Sequence, residues 1–137
     1  MDDRPQFISE FLVGIPLIDQ EHRQLVDIAG DIYDSLGSNE VTAQAAARSA
    51  AARLLAYTVT HFASEEALME AAGYPELEAH RQLHQQLLHQ ANDMAMRAEL
   101  GDQYVPGDLS HFIYVWLVKH IQAQDKRFGE FMAARKD

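Results

Sequence analysis

The chain has 137 residues, the size of one ordinary domain that buries a core without disulfide or oligomer support, so a single domain over 1–137 and a monomer are expected. Its 21 acidic against 11 basic side chains give a formal charge of −10, which repels phosphate backbones and anionic lipid, so neither nucleic acid nor a membrane is an expected partner. The absence of cysteine excludes disulfides, thiolate zinc sites, iron–sulfur clusters and cysteine nucleophiles together.

In chain order, the N-terminus (Met1-Asp2-Asp3-Arg4-Pro5) is acidic and lacks the apolar run of a secretory signal. Apolar runs such as 113–118 are too short to span a bilayer, so a cytoplasmic protein is expected. An extended arm of about 15 residues leads to Gly14 and Pro16. A first helix is predicted over roughly 16–36, where Ile18, His22, Leu25, Val26, Ala29, Ile32, Tyr33 and Leu36 recur at steps of three and four. A second, roughly 40–72, opens alanine-rich and continues the rhythm through Leu54, Thr58, His61, Glu65, Leu68 and Ala72. Gly73 is its natural stop and Pro75 a natural first residue of the next. The third helix, roughly 75–100, carries Leu77, His80, His84, Leu87, Leu88, Ala91, Met94 and Ala95 on one face. The fourth, roughly 108–133, has Asp108 as its expected N-cap and a stripe of Ile113, Trp116, Leu117, His120, Gln124, Phe128 and Met132. No segment alternates with period two. The reading is an all-α, antiparallel up-down-up-down four-helix bundle.

Polar residues fall where the core should be. His22, His61, Glu65, His80, His84 and His120 all lie on inward faces, expected about midway along their helices. A buried ionisable group must be paired, hydrogen-bonded or metal-bound. His61 with Glu65, and His80 with His84, are i,i+4 pairs, which set two side chains one turn apart on one face, able to grip one centre. A lone histidine on an apolar stripe is more often a satisfied core residue than a ligand, but five on four helices have a common explanation in metal. His89 and His111 lie off the stripes and are read as surface. Imidazole and carboxylate without thiolate suit iron, manganese or zinc, and more ligands than a tetrahedral zinc site needs suggest two ions. No glutamate has histidine three residues on, as in ferritin-type di-iron sites, and His-Glu-x-x-His is absent.

The order His22, then His61-Phe62-Ala63-Ser64-Glu65-Glu66, Tyr74-Pro75, His80-x-x-x-His84 and Trp116-Leu117-x-x-His120-Ile121-x-x-x-Asp125 resembles the hemerythrins, specifically the bacterial single-domain bacteriohemerythrins. Val13-Gly14-Ile15-Pro16 and Ile18-Asp19-x-x-His22-x-x-Leu25 extend the resemblance over nearly the whole chain. It implies two iron ions (ferrous or ferric) with a bridging oxo or hydroxo group, in a four-helix bundle that binds dioxygen. His80, His84 and His120 would bind one iron, His22 and His61 the other, and Glu65 and Asp125 would bridge both. Asp125 is five residues from His120, about 140° around an ideal helix, so it either reaches the centre from the flank or the helix is widened between Ile121 and Asp125, as in a π-bulge. The implied ligands fill about eleven of roughly twelve octahedral positions, leaving one open on the iron with two histidines. The pocket residues implied for dioxygen are Leu25, Phe62, Trp116, Leu117 and Ile121, all apolar, and a dry pocket favours reversible binding. Where family members commonly carry a tryptophan in the arm, this chain has Phe7.

The expected function is therefore reversible dioxygen binding, as carrier, store or local supply, and not enzymatic. The alternatives are an enzyme reducing nitric oxide or peroxide at the same site, and an oxygen or redox sensor module, although 137 residues leave no room for an output domain. Expected protein partners are an oxygen-consuming enzyme or a reductase.

Overall fold

The computed structural model describes residues 9–135, without the side chains of Glu10, Leu117, Val118, Lys119, Ile121 and Gln122. Phe7 and the side chains of Leu117 and Ile121 thus lie outside the described residues. A 3-10 turn (Ser9–Phe11) precedes α1 (Pro16–Ser35), α2 (Glu40–Ala72), α3 (Leu77–Glu99) and α4 (Val105–Val115). The last runs into a π-helical segment (Trp116–Asp125) and then α5 (Lys126–Ala134), which together form the fourth rod of the bundle. The described residues contain no strand.

The rods are antiparallel. Glu21 meets His61 and Asp31 meets Arg53, so numbers fall along α1 as they rise along α2. The same inversion relates Glu70–Arg81 to Glu65–His84, and His80–Asp125 to Arg97–Asp108. The connections are short, which favours antiparallel neighbours.

Local chemistry explains most boundaries. Pro16 needs no N–H at the start of α1. The Asp19 carboxylate accepts from the N–H groups of Val13 at 2.7 Å and Gly14 at 3.2 Å, which ties the arm to the first turn. Asn39 caps α2 by accepting from the Thr42 N–H at 2.8 Å. Gly73 ends α2 with φ +68°, a left-handed conformation that favours glycine, as the sequence predicted.

Two predicted starts shift. Pro75 is not the first residue of α3: it sits in a turn, the Leu77 N–H donates to the Tyr74 carbonyl, and the helix begins at Leu77. Asp108 is not the N-cap of α4. The Asp102 side chain accepts from the Tyr104 N–H at 2.9 Å and starts the helix early, and Pro106 fits its first turn without needing a donor. Asp108 instead lies one turn inside and pairs with Arg97 at 2.7 Å.

The core is divided. A large apolar cluster includes Leu25, Ile32, Leu54, Leu109, Ile113 and Trp116, with Ala47, Ala50 and Ala51 of α2 fully packed. A small one, near the α2–α3 turn, is built on Met69, Tyr74 and Phe128. The buried histidines, with Glu65 and Asp125, lie nearer the α2–α3 turn than the midpoint expected from sequence, because His61 and Glu65 come late in α2 and His80 and His84 early in α3.

Gly129 is dictated by close approach: a Cβ there would lie 1.9 Å from the Val13 carbonyl oxygen, so the arm lies directly on α5. In a helix interior glycine to alanine ordinarily stabilises by about 1 kcal/mol. Gly129→Ala is expected to reverse that sign and destabilise by about 1–3 kcal/mol through overpacking, with a lower melting temperature and faster proteolysis at residues 9–14.

Candidate metal centre

Each rod contributes to one buried layer: His22 from α1, His61 and Glu65 from α2, His80 and His84 from α3, His120 and Asp125 from the π-helical segment. None is more than 4% exposed. Asp125 joins the layer because the helix is widened there, as one of the two sequence alternatives had it, although the widening spans Trp116–Asp125 and not only the last turn. Bonding from i to i+5 brings residues five apart onto one face, so His120 and Asp125 both point inward.

The two carboxylates divide their oxygens between two groups of imidazoles. Glu65 Oε1 lies 2.9 Å from His80 Nε2 and 3.0 Å from His84 Nε2, while its Oε2 lies 3.7 Å from His61 Nε2. Asp125 Oδ1 lies 3.0 Å from His80 Nε2 and 3.2 Å from His120 Nε2. Its Oδ2 lies 2.8 Å from His22 Nε2 and 3.9 Å from His61 Nε2. The donor atoms of Glu65, His80, His84, His120 and Asp125 fall within 4.8 Å of one another, as do those of His22, His61, Glu65 and Asp125. Two donor sets sharing Glu65 and Asp125 can hold two cations side by side.

The donor chemistry fits metal. His61 Nε2, His120 Nε2 and Glu65 Oε2 are buried without a hydrogen-bond partner among the described residues, an arrangement costly for a protein matrix alone. The outer ring nitrogens are partly secured: His61 Nδ1 lies 2.8 Å from Glu21 and His84 Nδ1 2.7 Å from Glu66, which orients both rings. Arg81 lies 3.5 Å from Glu66 in turn.

Apolar surfaces close the layer. Phe62 stacks on His84 with centroids 3.8 Å apart and on Trp116 at 5.3 Å. Leu25, Phe62 and Trp116 are buried in the same apolar cluster. His89 and His111 are exposed, as expected. Sequence reasoning did not single out Glu21, Glu66 or Tyr57. Glu21 and Glu66 directly adjoin His22 and Glu65 in the chain, and each turns to a histidine of a neighbouring helix, a cross-helix relation that spacing along one helix does not reveal. Tyr57, stacked on His61 at 5.1 Å, had a local signal in its i,i+4 spacing.

Electrostatics hold the layer charged. Burial pulls His61 down, but Asp125, Glu21 and Glu65 overcome it and raise its pKa to about 10. His80 is raised to about 9 against the same burial, by Asp125 and Glu65. Burial dominates at His120, which is lowered to about 4. Asp125 and Glu65 both stay below the usual carboxylate range: burial opposes this, and the surrounding histidines outweigh it.

The chain is similar to known proteins throughout this region. A profile described as the hemerythrin HHE cation binding domain matches residues 13–131. The bacteriohemerythrin of Stenotrophomonas maltophilia is 30% identical over 89% of this chain and 77% of its own length. That of Methylococcus capsulatus is 30% identical over 92% of this chain and 94% of its own. A crystal structure of wild-type hemerythrin superposes with a TM-score of 0.76 at 28% identity, covering 91% of this chain and 94% of that one.

Metal-free protein should be most stable near pH 6.5. Above it, His61 and His80, whose folded values are raised, contribute stability that is lost as pH climbs through about 9 to 10. Below it, His120 takes up a proton more readily unfolded than folded, so stability falls towards pH 4. Melting temperature measured from pH 4 to pH 10 on chelator-treated protein checks both limbs.

Proposed function

Because the chain belongs to the hemerythrin family of HHE cation-binding domains, we propose that it binds dioxygen reversibly at a non-haem di-iron centre built on this layer, as carrier, store or local supply. The observation that carries the reading is the division of carboxylate oxygens: one oxygen each of Glu65 and Asp125 faces the group of three histidines, the other faces the group of two. His80, His84 and His120 would hold one iron and His22 and His61 the second, with Glu65 and Asp125 shared between the two donor sets. The iron pair, with an oxo or hydroxo bridge, supplies the electrons and the open coordination position that dioxygen requires. The set with His22 and His61 offers one imidazole fewer than the set with His80, His84 and His120, and would leave room for dioxygen on that side.

The remaining roles belong to the chain. Leu25, Phe62 and Trp116, buried together in the large apolar cluster, would form the wall that excludes water and stray protons. Glu21 and Glu66 orient His61 and His84 and raise their basicity as ligands. Residues 1–137 act as one hemerythrin-like domain, monomeric and cytoplasmic, exchanging dioxygen with an oxygen-consuming enzyme or electrons with a reductase. No described helix is long and apolar enough to cross a membrane.

Imidazoles must be neutral to bind metal, whereas His61 and His80 are protonated near neutrality. Anaerobic ferrous loading at pH 7 in weak buffer should release about three protons per chain, two from these imidazoles and one from the water that supplies a hydroxo bridge, and affinity should rise with pH.

Iron analysis and the optical spectrum test the function itself: protein reduced without air, exposed to dioxygen and returned to vacuum should hold about two irons per chain and show a change that forms and reverses. Irons that oxidise at once without a reversible change would move the reading to a reductase or sensor. His61→Ala and Glu65→Ala should lose iron. Leu25→Ala should keep it and autoxidise severalfold faster, and an unchanged rate would remove Leu25 from the pocket.

A further inference from the structure

Resting on the di-iron reading, we infer that Tyr57 donates a hydrogen bond to the small exogenous ligand of the centre and so biases it towards ligands whose outer atom is a good acceptor. Tyr57 and His61 leave the same face of α2 one turn apart, and their rings stack at 5.1 Å and 13°. Tyr57 is buried in the large apolar cluster with Leu25, Phe62 and Trp116, so the phenol, with its hydroxyl, stands where that cluster borders the layer. That hydroxyl is buried and has no hydrogen-bond partner among the described residues. The Trp116 ring lies 5.8 Å from Tyr57, and its Nε1 is likewise buried and unpartnered.

An unpaired buried donor beside a site of chemistry calls for a partner that arrives with the ligand. A phenol is protonated at neutral pH and can donate. Of the rest of the described wall, Leu25 and Phe62 have no polar group to offer, and the Trp116 Nε1 donor is unchanged in a Tyr57 variant. Azide, or any ligand that gathers negative charge on its outer atom, gains from this hydroxyl; a ligand with a poor acceptor gains nothing.

Tyr57→Phe removes the hydroxyl and keeps the ring. In the ferric iron-loaded protein, azide titrated optically should bind about three- to tenfold more weakly in the variant, with iron content unchanged. The azide infrared stretch should shift between H2O and D2O in the wild type and not in the variant. Without metal, the variant should melt at the wild-type temperature or above, since no protein partner is lost. Equal azide affinities, or a metal-free melting temperature several degrees lower, overturn the inference alone. An iron-loaded wild type that takes up no azide overturns the di-iron reading and this inference with it.

Discussion

Five imidazoles and two carboxylates lie in one dry layer, and taking seven ionisable groups out of water is tolerated only where opposite charge, hydrogen bonds or metal compensate. The arrangement around the layer answers that demand from both sides. Inside, each carboxylate oxygen faces at least one Nε2; outside, Glu21 and Glu66 take the back edges of His61 and His84. The matrix nevertheless leaves His61 Nε2, His120 Nε2 and Glu65 Oε2 without hydrogen-bond partners. A half-satisfied polar layer is worse for stability than an apolar core. Here the unsatisfied atoms fall within the two donor sets that share Glu65 and Asp125, which is what a pair of cation sites requires and a structural ion-pair network does not.

Much of this was legible in the sequence because helical periodicity and the layer share one geometry. His22, His61, Glu65, His80, His84 and His120 could be assigned to inward faces by counting threes and fours, and the rods follow from the same count. Helix starts were less legible: Asp102, six residues ahead of the expected cap, sets the start of α4 through a side-chain turn, and Pro75 serves a turn where a helical first position was equally compatible with its ring. Glu21 and Glu66 were hidden for a different reason. Their importance lies in a partner on another helix, and contacts between rods depend on rotation and stagger that one helix's pattern does not contain.

Asp125 is where periodicity fails and chemistry prevails. An ideal α-helix would turn it well away from His120, yet the carboxylate contacts His22, His61, His80 and His120. The widened backbone over Trp116–Asp125 gives up regular i→i+4 bonding to make that possible, and such segments recur at functional sites. A locally unfavourable helix needs support at its ends. On one side Trp116 is fully packed among Tyr57, Phe62 and Phe112.

On the other side the support comes from outside the rods. Three residues after Asp125, Phe128 packs on Tyr74 in the small apolar cluster, and at the next position Gly129 admits the Val13 carbonyl against α5. Val13 is itself held by Asp19, which lies one turn before His22. The arm therefore connects the helix that carries His22 to the stretch that follows Asp125, and these two residues meet at 2.8 Å in the layer. Fixing both ends of that contact through the backbone limits the freedom of the widened segment to relax into a regular helix, which would rotate Asp125 away. The described part of the N-terminal arm, which contributes no residue to either donor set, thus bears on the geometry of the centre as directly as the second apolar cluster does.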